Sequence, residues 1–294
     1  MSSLGNPFFR KSGILYLGLF ILLIFGNLSL NAQFIKLFET DTVFHAPESV
    51  AWDSIRNCLY ISNYTTPVKE GDFYGRHTIS KVSMEGAVLE TAWIKGLSCP
   101  TGICIANDKL FIVERFGIVE FDLSTDRVSY KYYIKTTDFL NDITIDPYGN
   151  LYVTVSGTNV VYRITGRKVE KWLTNDSIAD PNGILYDQGK LIIGVNSDGY
   201  LKSIDIETKK IRNLAFLGEG TIDGIKKCGK GYLVTHFRGN LYYIDNSGKV
   251  KELLNTRPEK VFQADFEYIP SKDLIVIPAL WNNKLLFYQY SLQE

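Results

Sequence analysis

Short apolar runs separated by turn residues recur through most of the chain. Runs rich in Leu, Ile, Tyr and Val lie at residues 59–62, 110–113, 151–154 and 191–194. Segments of alternating polarity follow at 161–164 and 241–244, and more polar segments follow those at 169–173 and 250–254. Alternation with a period of two, in residues that are largely β-branched or aromatic, predicts β-strands rather than helices.

One short motif precedes each of these groups of strands. The motif has four positions. The second is polar, the third is glycine in half of the cases, and the fourth is usually apolar, as at 181–184 and 222–225. The polar position recurs six times at a spacing of about forty residues, after a longer first interval. Its six occupants are Glu48, Thr101, Asn141, Asn182, Asp223 and Asp265.

Four strands in about forty residues, repeated six times, predict a six-bladed β-propeller. The sixth unit ends near Tyr290, so its outermost strand is missing from the carboxyl end. Residues 34–40 have the length and pattern to supply that strand, which would leave no open edge in the ring. We therefore predict an all-β protein in which residues 33–294 form a propeller whose last blade is closed by the N-terminal strand. A sandwich or a solenoid accounts less naturally for such a donated strand.

The first 32 residues follow a different pattern. Arg10 and Lys11 precede an apolar run at 14–25, and a polar stretch then leads to Ala32 and Gln33. This order of charged, apolar and small residues is typical of an export signal. We predict that residues 1–32 are a signal peptide or, without cleavage after Ala32, a signal anchor. The protein is then exported to the periplasm or the exterior, with membrane attachment only through that anchor.

The composition is that of a globular protein with ample apolar material for a core. Hydrophobic residues make up 45% and charged residues 22% of the chain, and Lys plus Arg balance Asp plus Glu at 32 each. Because there is no basic run, nucleic acid is not an expected partner. The four cysteines, Cys58, Cys99, Cys104 and Cys228, match no zinc or redox spacing. A disulfide between Cys99 and Cys104 and buried free thiols are both open alternatives.

The six polar motif positions are expected to face one another, because the first strand of each propeller blade lines the central channel. They comprise three carboxylates, two carboxamides and one hydroxyl. Such oxygen atoms are the ligands that a hard divalent cation prefers, and a cation would offset the repulsion between Glu48, Asp223 and Asp265. The alternative is a wet channel in which these residues cap strand ends, since Asn-Gly and Asp-Gly are common turn dipeptides.

Four motifs resemble those of the senescence-marker-protein and gluconolactonase family of six-bladed propellers, which includes regucalcin-like proteins. They lie at 47–53, 141–146, 181–184 and 223–225. The resemblance implies one divalent cation in the channel, with Ca²⁺ preferred over Zn²⁺ or Mg²⁺. Its ligands by position are Glu48, Asn182 and Asp223, with Asn141 beside them or among them. Sugar-lactone hydrolases of the family often have Arg where this chain has Phe139, so gluconolactone is not the expected substrate.

A channel cation polarises an ester or lactone carbonyl and acidifies water, and a nearby carboxylate takes the proton. We assign Asp223 as a ligand and as general base or nucleophile, Glu48 as a ligand only, and Asn141 as the residue that orients the substrate. Only three histidines are present, and no Ser-His-Asp or Cys-His arrangement is indicated.

Loops between the second and third strands should form the mouth of the site. The residues predicted to bind the substrate there are Tyr64, Arg115, His236 and Trp281. The longest of these loops, at 64–77, is expected to act as a lid. The sequence thus predicts an exported, divalent-metal-dependent hydrolase of a small lactone or related ester. The alternative is a non-catalytic propeller that binds a small ligand or protein, with a structural channel cation or with none.

Overall fold

The computed structural model describes residues 34–64, 77–136 and 138–291. Within these ranges the chain forms six four-stranded antiparallel sheets, arranged as the six blades of a propeller. The predicted export segment 1–32 and residues 65–76 of the predicted lid lie outside the described residues. No helix in the described ranges is long and apolar enough to cross a membrane.

Each of the first five blades is built from four strands that are consecutive in the chain. Strand β1 covers Phe34–Glu39, and blade 1 then consists of β2 (Pro47–Asp53), β3 (Cys58–Asn63), β4 (Thr78–Ser83) and β5 (Val88–Ile94). Blade 2 consists of β6 (Ile103–Ala106), β7 (Lys109–Glu114), β8 (Gly117–Asp122) and β9 (Arg127–Tyr133). Blade 3 consists of β10 (Phe139–Ile145), β11 (Leu151–Ser156), β12 (Val160–Thr165) and β13 (Lys168–Thr174).

The remaining blades continue the same order. Blade 4 consists of β14 (Pro181–Asp187), β15 (Lys190–Val195), β16 (Tyr200–Asp205) and β17 (Ile211–Phe216). Blade 5 consists of β18 (Ile222–Cys228), β19 (Gly231–His236), β20 (Asn240–Ile244) and β21 (Val250–Asn255). Blade 6 contains β22 (Glu267–Ile269), β23 (Leu274–Ala279) and β24 (Lys284–Tyr290). Short 3₁₀ helices lie at Asp176–Ile178, Pro270–Lys272 and Leu280–Asn282.

Strand β1 completes the sixth blade by pairing antiparallel with β24. Two aromatic stacks reinforce this pairing, with ring centroids 4.8 Å apart for Phe34 and Tyr288 and 4.3 Å apart for Phe38 and Phe287. The predicted donated strand is therefore confirmed, and the sandwich and solenoid alternatives are wrong.

The hydrophobic core lies mainly between neighbouring blades. Between blades 2 and 3, for example, Val113 and Ile118 pack in one buried cluster with Leu140 and Val153. Because each blade is apolar on both faces, every blade depends on its two neighbours for burial. The inner strands are consequently held at fixed positions around the channel.

Four of the six sequence motifs coincide with an irregularity in strand pairing. The register between the first and second strands shifts between Pro47 and Ser49 in blade 1, and between Leu140 and Ile143 in blade 3. It shifts at the equivalent places of blades 4 and 5, from 181 to 184 and from 222 to 225. Such bulges re-aim side chains, and here they act on the polar motif residues.

Three motif glycines are required because the backbone or side chain of the next blade approaches them closely. A Cβ on Gly183 would lie 1.6 Å from the carbonyl oxygen of Asp223. A Cβ on Gly102 would lie 2.5 Å from Asp142 Oδ1, and one on Gly224 would lie 2.6 Å from Asp265 Oδ1. All three have ordinary, not left-handed, backbone angles. The interpretation of these dipeptides as turns is therefore wrong.

The cysteines Cys58, Cys99, Cys104 and Cys228 are all free thiols. Cys58 and Cys228 are buried, and the other two are partly buried. The alternative of a disulfide between Cys99 and Cys104 does not hold.

Candidate functional site

A cavity of about 350 Å³ occupies the end of the central channel at which the motifs lie. Five of the six motif positions line its floor, namely Glu48, Thr101, Asn141, Asn182 and Asp223. The structure therefore brings together all four residues that were predicted to hold a cation. The sixth motif residue, Asp265, was expected in the same ring but does not line the cavity.

Three oxygen atoms of this floor are buried and have no hydrogen-bond partner within residues 34–64, 77–136 and 138–291. They are Glu48 Oε2, Asn141 Oδ1 and Asn182 Oδ1. Buried polar atoms are normally paired, and leaving one unpaired costs about 1–3 kcal/mol. Three such acceptors around one cavity indicate that a ligand with positive charge or donor groups belongs there.

The orientation of Asn141 is fixed by its amide nitrogen. Asn141 Nδ2 donates to Ser156 Oγ at 3.0 Å, and Ser156 Oγ donates in turn to the carbonyl oxygen of Pro181 at 3.0 Å. This chain of hydrogen bonds assigns the nitrogen of Asn141 to the protein and leaves its oxygen available. Ser156 therefore positions a candidate ligand, which is a role that the sequence did not reveal.

The cavity is electrostatically unfavourable for carboxylates without a counter-ion. Burial raises the pKa of Glu48 well above its ordinary value, and the charges of Asp223, Asp265 and Asp142 raise it further. Burial also raises the pKa of Asp223, with Asp265 and Asp142 adding to the effect. Both carboxyls are therefore poised to ionise once a cation enters.

The donor set fits a hard divalent cation. The floor offers carboxylate, carboxamide and hydroxyl oxygens, and among the residues that the structure describes no His or Cys lines the cavity. Within the described parts of the chain, no group of three or more His, Cys, Asp or Glu side chains is placed to hold a metal ion. The candidate set therefore needs the oxygens of Asn141 and Asn182 beside the two carboxylates.

A second charged cluster, formed by the buried Asp265 and the half-buried Lys226 and Glu267, belongs to blades 5 and 6. Asp265 accepts a short hydrogen bond from Ser49 Oγ, and its Oδ1 lies 3.5 Å from Lys226 Nζ. Burial acts to lower the pKa of Lys226, but the charges of Asp265, Glu267 and Asp142 outweigh it and raise that pKa. These partners explain why Asp265 is withdrawn from the cavity.

Asp142, the residue after Asn141, holds two blades together. Its carboxylate accepts from the backbone N–H of Ile143 at 2.7 Å and from that of Ile184, in blade 4, at 2.8 Å. Burial and the charge of Asp265 raise its pKa to about 8. Asp142 is therefore a structural residue that joins β10 to β14, the inner strands that carry Asn141 and Asn182.

The rim of the cavity is apolar and aromatic. Tyr64 and Trp281, both predicted substrate-binding residues, line it together with Phe139. The rings of Tyr64 and Phe139 meet edge to face with centroids 5.8 Å apart. Phe139 therefore lines the rim at the position where sugar-lactone hydrolases of the family that the sequence resembles often have an Arg.

The structure does not place His236 at the rim, contrary to the prediction. Its side chain is fully buried, with Nε2 3.2 Å from the carbonyl oxygen of Glu219 and Nδ1 accepting from the backbone N–H of Arg238 at 3.3 Å. Burial is the main cause that lowers the pKa of His236, which favours the neutral ring. The next residue, Phe237, lines the cavity at the place predicted for His236.

Arg115 does not line the cavity either. Its guanidinium lies over the ring of Phe116 at 5.6 Å from the centroid. It was predicted from its place in the loop after β7, but its side chain packs on Phe116 and does not join the lining of the cavity. Three lining residues were missed by the sequence, namely Thr221, Phe237 and Leu280. All three flank motif or loop positions already singled out, but nothing in the sequence alone shows which neighbour points inward.

Together, the ring of blades and the oxygen-rich cavity define a six-bladed propeller with a candidate cation site in its channel. Solved structures with a similar fold include a gluconolactonase from Xanthomonas campestris (14% identity, TM-score 0.67, covering 88% of this chain and 90% of that chain). Another is the calcium-binding protein regucalcin from Agrobacterium tumefaciens (15% identity, TM-score 0.64, covering 84% of this chain and 90% of that chain). A third is virginiamycin B lyase from Staphylococcus aureus, solved with quinupristin (13% identity, TM-score 0.62, covering 88% of this chain and 98% of that chain).

These similarities confirm the resemblance to regucalcin-like and gluconolactonase propellers at the level of the fold. No family model matches the sequence, and no curated protein sequence matches it. The function must therefore be inferred from the cavity.

Proposed function

We propose that the protein is a divalent-cation-dependent hydrolase of a lactone or related ester, with Ca²⁺ as the preferred cation. The observation that carries this proposal is the convergence of three unpartnered buried oxygens, on Glu48, Asn141 and Asn182, with Asp223 in one cavity. The shared fold with a gluconolactonase and a calcium-binding regucalcin supports it. We propose further that residues 1–32 direct export, as a cleaved signal or as an anchor.

Glu48, Asn182, Asp223 and Asn141 would hold the cation, which when bound supplies polarisation of the substrate carbonyl. Asn141 presents its oxygen because its nitrogen is committed to Ser156. Asp223 takes the proton from the attacking water as general base, a role open to a carboxylate that lines the same cavity as the other three residues. The aromatic rim of Tyr64, Phe139 and Trp281 excludes bulk water from the carbonyl.

The test separates ligand from base. Glu48→Gln should weaken calcium binding in calorimetry, but turnover of a lactone should recover at saturating calcium. Asp223→Asn should lower turnover by about a hundredfold or more even at saturating calcium. Asp126→Asn, at an exposed turn in which Asn is readily accommodated, is the matched control and should change neither quantity.

Two results would contradict the proposal in different ways. If the protein binds no divalent cation in calorimetry and retains none after purification, the cation site is wrong. If calcium binds but no lactone or ester in a broad panel is hydrolysed, the protein is a non-catalytic binding propeller.

A further inference from the structure

A recess of about 370 Å³ lies on blade 4, at the end opposite to the channel cavity. Pro181 pairs with Val195 at the motif end of this blade, whereas Lys190 pairs with Asp187 and Asp205 at the other end. We call this depression the blade 4 recess. All of its lining residues are polar or charged, namely Lys190, Ser203, Asp205, Thr208, Lys210 and Arg212.

Strand pairing places several of these residues on one face of blade 4. Arg212 of β17 lies directly across from Ser203 of β16, and Lys190 of β15 lies directly across from Asp205. On the other side of Ser203, Ile192 of β15 lies across from it and packs in the core shared with blade 5. Residues directly opposite in antiparallel strands project to the same face. The recess therefore opens on the face of blade 4 that is turned toward blade 5.

The recess has positive charge that the protein does not neutralise. Lys190, Lys210 and Arg212 form no ion pair with the residues that the structure describes, whereas the neighbouring Lys202 is paired with Asp198. Three cations against a single carboxylate leave the lining with a net charge of +2. This excess attracts an anion of matching charge.

The carboxylate of the recess, on Asp205, is committed to its own turn. Its Oδ1 accepts from the backbone N–H of Thr208 at 2.8 Å and from Thr208 Oγ1 at 2.7 Å. These hydrogen bonds lower the pKa of Asp205, so the group stays ionised without pairing with a basic side chain of the lining.

The buried residue of the lining, Ser203, has an unpartnered hydroxyl. Ser203 is 7% exposed, and its Oγ takes part in no hydrogen bond among the described parts of the chain. Buried polar groups are normally paired. This hydroxyl is therefore available to donate to a ligand in the recess.

Blades 1 and 3 have opposite charges at the equivalent positions of their outer two strands. Arg163 of β12 lies across from Glu170 of β13 and donates to it from Nε at 3.0 Å. Lys81 of β4 likewise lies across from Glu90 of β5. Blade 4 has a small hydroxyl in place of the first charge and Arg212 in place of the carboxylate. The partner that the fold supplies in blade 3 must therefore come from outside in blade 4.

We propose that the blade 4 recess binds a phosphate group. A phosphate group carries nearly two negative charges at neutral pH and several strong acceptor oxygens, which match the net charge of the recess and its free donors. The planar guanidinium of Arg212 suits phosphate because it donates two parallel hydrogen bonds. The recess is large enough to hold a small molecule that carries the phosphate. This site is separate from the channel cavity and does not depend on the proposed hydrolase function.

The test measures binding by calorimetry in calcium-free buffer, which prevents precipitation of calcium phosphate. The probes are inorganic phosphate, glucose 6-phosphate and glucose. The recess variant is Lys210→Gln with Arg212→Gln. Its matched control, Lys95→Gln with Arg127→Gln, removes the same charge at exposed positions outside the recess. A third variant, Ser203→Ala, keeps every charge and removes only the hydroxyl.

The wild-type protein should bind both phosphorylated probes and not glucose. The recess variant should weaken phosphate binding about tenfold or more, and Ser203→Ala about fivefold. The control should change the affinity less than about twofold, because distant exposed charges are screened. Tighter binding of glucose 6-phosphate than of phosphate would identify an ester as the ligand, and equal affinity would identify the free ion. Either result supports a phosphate site in the recess.

Three results would overturn the proposal. The first is that the wild-type protein binds neither phosphorylated probe at millimolar concentrations. The second is that the control weakens binding as much as the recess variant, since overall charge would then explain the attraction. The third is unchanged binding by Ser203→Ala, which would show that surface charge acts without a built site. Thermal melting of each variant checks that the affinities are those of folded protein.

Discussion

The backbone N–H of Asp265 donates to the carbonyl oxygen of Glu48 at 2.9 Å, and this bond joins the innermost segments of blades 6 and 1. Threonine hydroxyls make further bonds between other blades. Thr101 Oγ1 donates to the carbonyl oxygen of Asn141 at 2.6 Å, and Thr154 Oγ1 donates to that of Asn182 at 2.6 Å. The candidate ligands are therefore held by bonds from neighbouring blades before any cation binds, which reduces the ordering cost of binding.

Calcium should stabilise the protein more at alkaline than at acidic pH. Because burial raises the pKa of Glu48 and of Asp223, the cation-free folded protein retains protons that the unfolded chain releases above about pH 4. The contribution of these groups to stability therefore falls as the pH rises. Calcium displaces those protons, so its stabilising effect should grow from about pH 5 to about pH 8.

Differential scanning calorimetry checks this by comparing calcium with chelator at each pH. Using the difference between the two melting temperatures removes the contribution of His77 and His236, whose pKa values are lowered mainly by burial. A difference that shrinks as the pH rises would show that these carboxyls are not the calcium ligands.

Replacing Gly183 by alanine should destabilise the fold strongly. The new Cβ would overlap the carbonyl oxygen of Asp223, and the inner strands of blades 4 and 5 would have to separate. We expect a loss of about 3 kcal/mol in the free energy of unfolding, measured in urea. Gly166→Ala is the control. A Cβ at Gly166 meets no neighbouring atom, so the left-handed backbone is the one source of strain, and the loss in the free energy of unfolding should be about 1 kcal/mol. Equal losses for the two variants would contradict the close approach between the blades.

Lys226→Met should cost about 3 kcal/mol, because it leaves the buried carboxylate of Asp265, and the nearby Glu267, without their cationic neighbour. The adjacent Lys227→Met offers a matched control, since Lys227 is 39% exposed and pairs with Asp187 near the surface. Its loss should be within about 1 kcal/mol. Adding Asp265→Asn to Lys226→Met should recover part of the stability in urea titrations. No recovery would indicate that packing rather than charge explains the loss.

Deletion of residues 34–40 should lower the melting temperature by about 10 °C or more, because it removes a whole strand and two aromatic stacks from blade 6. The exposed edge of β24 should also promote self-association, visible in size-exclusion chromatography with light scattering. Leu37→Thr alters the same strand at a partly exposed position and is expected to change both measurements little. A stable monomer after the deletion would mean that β1 is dispensable for ring closure.

The sequence was sufficient to predict the ring of blades and the gathering of Glu48, Asn141, Asn182 and Asp223. Both follow from period and position, since equivalent residues of repeated units face a common axis. It was insufficient for Asp265, because its carboxylate is drawn toward Ser49 of blade 1 and Lys226 of blade 5, and the repeat does not encode these side-chain contacts between blades.

The sequence also failed to predict which side chains point into the cavity where strands end and loops begin. His236 and Phe237 are adjacent, and the sequence favoured the titratable ring at the rim. The backbone instead turns His236 inward, where Glu219 and Arg238 satisfy both ring nitrogens, and presents Phe237 to the cavity. His236 is the last residue of β19, so the alternation of side chains along that strand sets its direction, and the sequence alone did not show where the strand ends.

The pairing of β1 with β24 has a consequence for biosynthesis. A ribosome releases β1 long before it has made β24, so the emerging chain carries a strand without its partner while five blades are already available to form. Contacts this distant in sequence form late and slow the overall reaction. Until that closure the edge of the sixth blade has no partner strand, and unpaired strand edges favour aggregation.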